Sequence, residues 1–246
     1  MGDNPLFLYR RQFILGPKPA CYEGWNIFKL FSFYLTTHPD LNCIQAKSNN
    51  KSITLLGYLL DPYNIEASDS EILEDIISST NSKERFIDKI YNYGGRWILI
   101  YQDDNDFIIL HDTGGVRQIF YTNNSELWCG SQPEIIANNT ESKKNIDAYE
   151  NLKAVGAFEP WANHFWPGGS SIYYNINRLL PNHYLDLVHR KVQRYWPNRK
   201  KENLTLSQGV DKCCYLLKNL IRAAGNRFHL AHSITSGWDS RLILAA

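Results

Sequence analysis

Two β-rich segments joined by a polar turn constrain the fold of this chain more than any other feature. The stretch "RWILIYQDDNDFIILHD" contains aliphatic and aromatic runs at 97–101 and 107–111, with five polar residues between them. Runs of this composition on either side of a turn predict an antiparallel hairpin. The pattern returns in "RQIFYTNNSELWCGS" and in "HYLDLVHRKVQRYW". Repeated hairpins predict a layered α+β domain with antiparallel sheets.

Helical periodicity appears in three further segments. In "SDSEILEDIISS", Ser68 and Glu71 have the spacing of a capping box, and apolar residues recur at helical intervals. The segment "SKERFIDKIYNY" has the same periodicity. A helix of about 20 residues is predicted in "TLSQGVDKCCYLLKNLIRAA", with Thr205 or Ser207 as its cap. The aromatic-rich stretch 145–174 shows no such period, and we expect it to be irregular.

Composition excludes several classes of partner. The chain has 26 basic and 25 acidic residues, so its net charge of +1 creates no field that would hold nucleic acid or an anionic membrane. No apolar segment approaches the ~20 residues that span a bilayer, and the start lacks a signal-peptide pattern. The five cysteines form neither metal-binding pairs nor a compact disulfide framework. We therefore expect a cytoplasmic protein with reduced thiols and no nucleic-acid or membrane partner.

The last part of the chain follows a different order of elements. The most polar stretch of the second half, "PNRKKEN", covers 197–203 and predicts a domain boundary. Beyond the predicted long helix, "FHLAHSI" at 228–234 reads as a strand, "TSGWDS" as a tight loop and "RLILAA" as the start of another helix. Helix, strand, loop and helix in this order are typical of an α/β domain. We therefore divide the chain into domains at 1–197 and 204–246.

The loop "TSGWDS" has the chemistry of a phosphate site. A small-residue loop that opens a helix gathers unpaired backbone N–H groups at the positive end of the helix, which favours an anion. Gly237 permits close approach of a ligand, and Thr235, Ser236 and Ser240 add hydroxyl donors. Asp239 beside a phosphate requires a bridging Mg²⁺, because the carboxylate would otherwise repel the ligand. The alternative is structural: Asp239 or Ser240 caps a helix.

The segment "SITSGWDSRLILAA" resembles the Ser-Gly-Gly-x-Asp-Ser signature of the ATP-pyrophosphatase domain of asparagine synthetases, with Thr235 and Ser236 in place of the first Ser and Gly. Pieces of the first domain resemble that family in the same order, from about Ile53 onwards. They are "SDSEILEDII", "GGRWILIYQDDNDFIILHDTGGVRQIFY", "LWCGSQPEIIA" and "VQRYWP". The resemblance implies an α+β fold, a class II amidotransferase-like four-layer αββα sandwich, followed by the truncated start of an α/β ATP-pyrophosphatase domain.

The resemblance also implies a reaction. In the family, ammonia released from glutamine in the first domain travels to a second site, where ATP and Mg²⁺ have activated a carboxylate by adenylation. Thr235, Ser236, Gly237, Asp239 and Ser240 would bind ATP or its pyrophosphate, and Asp239 would bind the metal. The implied function is an ATP-dependent amide-forming ligase. Its substrate would be a small-molecule or peptide carboxylate.

The residues for glutamine hydrolysis depart from the family pattern. The family nucleophile is a cysteine directly after the initiator Met, where this chain has Gly2. A glycine cannot attack an amide. The family's Asn-Gly-Glu oxyanion segment falls on Leu56-Gly57-Tyr58, so the side-chain donor is also missing. No counterpart of the Arg-rich segment that would hold the carboxylate of glutamine is recognised in the sequence. Cys21 would serve only if cleavage exposed it, so its default role is structural.

Three hypotheses follow. In the first, the ligase takes ammonia from solution or from a partner because its own glutaminase half is inactive. In the second, the chain is a non-catalytic pseudoenzyme or interaction module. The third is nucleotide binding without ligation. One predicted strand and two helical pieces cannot bury both faces of a doubly wound sheet. We therefore expect a fragment, inactive alone, whose second domain needs a complementing C-terminal polypeptide.

Several other side chains have structural interpretations. His111 and Asp112 lie at a predicted strand end, and we treat His111 as structural. Arg117 occupies a position that packs in the family, and we expect it to pair with an acid that the sequence does not identify. The aromatic residues of the irregular stretch are expected in the core or at a domain interface rather than in a stacking surface. They are Trp161, Trp166, Tyr173 and Tyr174.

Overall fold

Twelve strands and six helices make up the described part of the protein. The computed structural model describes residues 8–124, 126–159, 166–198 and 203–246. The strands are β1 Phe13–Gly16, β2 Asn26–Leu30, β3 Phe33–Thr37, β4 Cys43–Ser48, β5 Lys51–Leu60, β6 Gly94–Gln102, β7 Phe107–His111, β8 Phe120–Thr122, β9 Cys129–Gly130, β10 Ile176–Arg178, β11 His183–Asp186 and β12 Lys191–Arg194. The helices are α1 Asp69–Ser79, α2 Lys83–Ile90, α3 Pro133–Ala137, α4 Ile146–Ala154, α5 Leu206–Arg227 and α6 Trp238–Ala245.

The strands form two antiparallel sheets of six strands each. One sheet has the order β10-β8-β9-β1-β3-β2 and the other β12-β11-β7-β6-β5-β4. In the second sheet β6 and β7 form the predicted hairpin, with Ile98 opposite His111 and Gln102 opposite Phe107. The predicted hairpin of β11 and β12 is also present. Because apolar side chains point to both faces of these central strands, each sheet needs a cover on both sides.

Three apolar clusters show how the sheets are layered. The first lies between the second sheet and helices α1 and α2, and includes Leu99 and Phe86. Another fills the space between the two sheets, with Leu15 from one and Ile109 from the other. The third lies between the first sheet and α3, around Trp128. The predicted α+β fold, a sandwich of two antiparallel sheets between helical layers, is confirmed.

The observed helix starts agree with the capping residues predicted from the sequence. Ser68 caps α1, and Glu71 bonds back to the backbone N–H of Ser68, so both halves of the predicted capping box are present. Thr205 caps α5 and forms a second capping box with Gln208, which decides between the two predicted caps. Among the described residues, none of the helices is long and apolar enough to cross a bilayer.

Two expectations for the second half were wrong. The stretch predicted to be irregular contains α4, capped by Asn145, whose side chain accepts from the N–H of Ala148. The periodicity is weak there because α4 buries none of its residues. Residues 228–234 form no strand, since no described segment pairs with them. An extended segment needs a neighbouring strand for its backbone hydrogen bonds. The β-rich composition of residues 228–234 therefore did not suffice to predict a strand.

Helix α5 packs against the sandwich through one end. Asn219 and Asn226 donate side-chain hydrogen bonds to the backbone carbonyls of Pro62 and Ile65, at 2.9 and 3.2 Å. Phe228, directly after the helix, packs on Tyr58 with ring centroids 4.9 Å apart. The segment that follows the predicted boundary is therefore attached to the loop after β5. Residues 199–202, at that boundary, lie outside the described residues.

Candidate functional site

The predicted phosphate loop forms an exposed turn at the start of α6. Gly237 is the N-cap residue, with φ −69° and ψ 154°, and no side chain caps the helix. The structural alternative, a helix capped by Asp239 or Ser240, is therefore not what the described loop shows. Gly237 is exposed, and a Cβ built on it would meet Thr235 Oγ1 at 3.3 Å. A ligand can thus reach the backbone at this turn without displacing a covering side chain.

Ser240 holds the turn together from within. Its hydroxyl accepts from the backbone N–H of Thr235 at 3.1 Å and lies 3.1 Å from the carbonyl oxygens of Thr235 and Gly237. Thr235 Oγ1 in turn accepts from the N–H of Gly237 at 3.2 Å. Ser240 is the buried member of the loop. Its hydroxyl therefore shapes the loop, whereas the exposed Ser236 remains available to a ligand.

Asp239 is the acid proposed to bind metal, and it sits in the first turn of α6. It is exposed and forms no ion pair with any described residue. Nowhere in the described ranges do three or more His, Cys, Asp or Glu side chains group closely enough to hold a metal ion alone. A single carboxylate is sufficient for Mg²⁺ when phosphate oxygens and water complete the coordination. The residues present thus fit a Mg²⁺ bound together with a nucleotide.

A second feature, which we call the arginine cleft, opens on the sandwich. It has a volume of about 870 Å³ and is lined by Arg10, Arg11, Gln12, Asp40, Leu41, Asn42, Gly57, Tyr58, Asp69, Arg96, Val116, Arg117, Gln118, Ser131, Gln132, Arg227 and Phe228. These residues come from the ends of strands, from loops and from the end of α5. The fold therefore assembles the cleft from segments far apart in the sequence.

Gly57 shapes the floor of the cleft. Its φ of +109° is a conformation that L side chains rarely adopt, and a Cβ would lie 2.1 Å from the carbonyl oxygen of Arg96. The backbone of Gly57 bonds on both sides to Asn42: its N–H donates to the Asn42 carbonyl, and its carbonyl accepts from Asn42 Nδ2, each at 2.9 Å. The resemblance matched Leu56-Gly57-Tyr58 to an oxyanion segment, and Gly57 and Tyr58 indeed line this cleft.

Five arginines and two aspartates give the cleft a positive lining. Arg10 pairs with Asp40 through Nε and Oδ2, 2.6 Å apart. Arg227 pairs with Asp69, which is buried. Among the described residues, Arg11, Arg96 and Arg117 have no carboxylate partner. Because both acids are already paired, the cleft retains an excess of positive charge in a chain that is nearly neutral overall.

Arg117 is the most constrained of these side chains. Burial lowers the pKa of its guanidinium group, and the nearby charge of Arg96 lowers it further. Its Nε is buried and has no hydrogen-bond partner in the described structure. The sequence did not identify the acid expected to pair with Arg117. In the structure the neighbouring carboxylate is Asp112, which accepts the backbone N–H groups of Val116 and Arg117, both at 2.9 Å. Among the described residues the guanidinium group of Arg117 forms no ion pair, so that expectation was wrong.

The other candidates are distributed away from the cleft. Position 2 lies outside the described residues, so the structure does not test the replacement of the nucleophile by Gly2. Cys21 is exposed and does not line the cleft. His111 is buried between the carbonyl oxygens of Asp112 and Leu179, 2.9 and 3.2 Å from its ring nitrogens, which is the structural role predicted for it.

The aromatic residues of the 145–174 stretch have mixed positions. Tyr173 is buried in the core, as predicted, whereas Tyr174 is 55% exposed and does not belong to it. Trp166 is half-buried and approaches Phe158, with ring centroids 6.0 Å apart. Trp161 lies outside the described residues.

Sequence comparisons return no relative, whereas structural comparison finds several. No family model and no curated protein matches the chain. One similar structure is the glutamine phosphoribosylpyrophosphate amidotransferase from B. subtilis complexed with ADP and GMP, at 12% identity and a TM-score of 0.43, covering 79% of this chain and 46% of that one. Another, described as the allosteric regulatory enzyme of purine biosynthesis, has 11% identity and a TM-score of 0.43, covering 76% of this chain and 43% of that one.

The described chain is thus an α+β protein with two stacked antiparallel sheets, an exposed turn at the start of α6 and a cleft lined by five arginines. It spans less than half of the length of each of these similar structures.

Proposed function

We propose that this chain contributes the sandwich domain and the nucleotide loop of an ATP-dependent amide-forming ligase similar to asparagine synthetases. The observation that supports this most is the turn at Gly237, exposed and uncapped at the start of α6. Unpaired N–H groups at a helix start bind phosphates well. In this proposal the turn binds the phosphates of ATP, with Thr235 and Ser236 at its entrance.

The proposed reaction joins ammonia to a small-molecule or peptide carboxylate. Asp239 would hold Mg²⁺, which would neutralise the charge of the phosphates. The carboxylate oxygen attacks the α-phosphorus, pyrophosphate leaves, and ammonia then displaces AMP from the acyl adenylate to form the amide. The backbone N–H groups in the first turn of α6, after Gly237, and the hydroxyl of the exposed Ser236 would stabilise the leaving pyrophosphate, since preorganised donors lower the barrier where charge develops.

The sandwich is proposed to be an amidotransferase-type domain that no longer hydrolyses glutamine. Gly2 replaces the family nucleophile in the sequence. Among the described residues that line the arginine cleft there is no cysteine and no histidine. A covalent step needs a nucleophile and a base within reach. Ammonia would therefore come from solution or from a partner protein.

One observation favours a second candidate, a non-catalytic interaction module. The hydroxyl of Ser240 bonds within the loop, and Trp238 beside it is 83% exposed. A loop that is complete without a ligand needs no nucleotide to be ordered. The two candidates differ in one measurable property, which is binding of ATP with Mg²⁺.

Isothermal titration with ATP and Mg²⁺ tests the proposal. We expect saturable binding that requires Mg²⁺ and weakens about tenfold or more in Asp239→Asn, since loss of one charged contact costs ~1.4 kcal/mol or more. Gly237→Val, which places a branched side chain at the turn, should weaken it similarly. The matched control is Asp211→Asn, which removes the same charge from an exposed position of α5.

Two results would contradict the proposal. One is the absence of heat at millimolar ATP from protein whose circular dichroism shows it to be folded. The other is equal affinity of the wild type, Asp239→Asn and Gly237→Val, which would place the nucleotide elsewhere. Either result favours the interaction module.

A further inference from the structure

We propose that the arginine cleft is a binding site for a small, multiply charged phosphate compound, separate from the nucleotide loop and different in ligand from a glutamine site. This inference rests on the cleft alone and stands whether or not the chain binds ATP. It assigns a ligand to the part of the sandwich that lacks the machinery for glutamine hydrolysis.

The first argument is the charge that the lining leaves unbalanced. Arg11, Arg96 and Arg117 come from the segment before β1, from β6 and from the loop after β7. None of the three has a carboxylate partner in the described ranges. Burial lowers the pKa of Arg117, and the repulsion from the like charges of Arg96 and Arg11 lowers it further, whereas the carboxylate of Asp112, which does not line the cleft, raises it. An anion between them would relieve that repulsion.

Geometry at Arg117 gives a second, independent argument. Its Nε is buried without a hydrogen-bond partner among described atoms, while Nη1 lies 3.4 Å from the carbonyl oxygen of Arg11. A buried donor without a partner is costly. The backbone N–H of Arg117 donates to the carboxylate of Asp112 at 2.9 Å, which holds the backbone from which this side chain extends. A guanidinium group presents parallel N–H donors that match two phosphate oxygens.

The available acids disfavour an amino acid as the ligand. Glutamine carries an α-ammonium group, whose strongest partner in a site is an unpaired carboxylate. Asp40 is paired with Arg10, and Asp69 accepts from Arg227, from Asn42 at 3.2 Å and from the N–H of Leu59 at 2.8 Å. No described acid in the lining is left for an ammonium group. The ligand class is therefore an anion without a positive group.

Size and charge select phosphate compounds among anions. The volume of about 870 Å³ accommodates a molecule larger than a single inorganic ion. Three unpaired guanidinium groups are best balanced by more than one negative charge, and a phosphate monoester carries about −1.5 to −2 at neutral pH. Neutral donors in the lining, Gln12, Gln118 and Gln132, can complete the recognition of phosphate oxygens.

The test uses inorganic pyrophosphate without Mg²⁺, titrated into the full chain by calorimetry. We expect binding that weakens as salt is raised and falls about tenfold or more in Arg96→Gln and in Arg117→Gln, because each removes a charge-assisted contact. Arg117→Lys should recover part of the loss, since it restores charge without the planar fork. The matched control is Arg85→Gln, an exposed arginine on α2 outside the cleft.

Glutarate and L-glutamine serve as competing ligands of different chemistry, and weaker binding of both supports the proposal. Four outcomes would overturn it: no binding of pyrophosphate by folded protein, equal binding by the cleft variants and Arg85→Gln, tighter binding of either competitor, or loss of binding in Gly237→Val but not in the cleft variants. Arg96 is exposed, so Arg96→Gln remains informative if Arg117→Gln fails to fold.

Discussion

Gly16 shows how a single residue makes room for a large side chain beside it in the same sheet. It lies at the end of β1, where a Cβ would fall 2.1 Å from Cε3 of Trp128. Trp128 is fully buried, so its ring has little room to move. At this position the absence of a side chain matters more than backbone freedom. Gly209, in contrast, lies in helix α5, where a Cβ would meet nothing within 4 Å.

These two glycines form a matched pair for a stability measurement. We expect Gly16→Ala to lower the free energy of unfolding by ~1–3 kcal/mol because of overpacking. Gly209→Ala should raise it by ~0.5–1 kcal/mol, since alanine favours a helix interior. Urea titration followed by circular dichroism measures both. A neutral effect of Gly16→Ala would show that Trp128 can move aside.

The reactivity of each cysteine thiol measures how deeply that single residue is buried. Burial raises the pKa of Cys43 to about 11 and raises that of the fully buried Cys129. Because the thiolate is the nucleophile, a raised pKa slows alkylation. Cys21, Cys213 and Cys214 are exposed.

We expect these three to react first with iodoacetamide near pH ~8. The rate at Cys43 should then rise about tenfold per pH unit until the pH passes its pKa. Cys129 should react only on unfolding. Peptide mapping of the native protein, with the denatured protein as the control, checks the order. Equal rates at Cys129 and Cys21 would contradict the buried position of β9.

At the scale of elements, one carboxylate joins three parts of the fold. Asp69 opens α1, accepts the N–H of Leu59 near the end of β5 and binds Arg227 in the last turn of α5. It is buried, so its charge is compensated by these partners and by the side-chain amide of Asn42, 3.2 Å away. The attachment of α5 to the sandwich therefore depends on this group.

We expect Asp69→Ala to lower the free energy of unfolding by ~3–5 kcal/mol, the range for removing one member of a buried ion pair. Arg227→Ala should selectively increase hydrogen exchange in the last turns of α5. The control is Arg222→Ala, an exposed position of the same helix, where the effect should stay within ~0.5 kcal/mol. Unchanged exchange in Arg227→Ala would mean that α5 is held by its other contacts.

Elements with local signals could be predicted from sequence, and elements without them could not. The capping box at Ser68 gave the start of α1, because cap and partner are three residues apart. The cap of α5 was left open between Thr205 and Ser207, and the structure shows Thr205. Two β-rich runs on either side of a polar turn gave the hairpin of β6 and β7. Helix α4 has no buried face to generate a period. The strand expected at 228–234 failed because pairing depends on a distant segment, which composition does not encode.

At the scale of the whole molecule, the two proposed anion sites have opposite relations to the sequence. The loop 235–240 is contiguous, so its glycine, hydroxyls and acid could be recognised as a motif. The residues of the arginine cleft are not contiguous. Arg11, Arg96 and Arg117 are far apart in the chain, and they meet because the start of β1, the start of β6 and the loop after β7 all line the same cleft. No local pattern marks such a set, and only the folded topology reveals it.

The most direct test of the account is a map of backbone amide resonances during titration with ATP and Mg²⁺. The account predicts that the largest chemical-shift changes fall on residues 236–240, around the exposed turn at Gly237, and that they disappear when Mg²⁺ is omitted. Small or absent changes at these amides, with the largest changes elsewhere or nowhere in the protein, would contradict the proposed nucleotide loop.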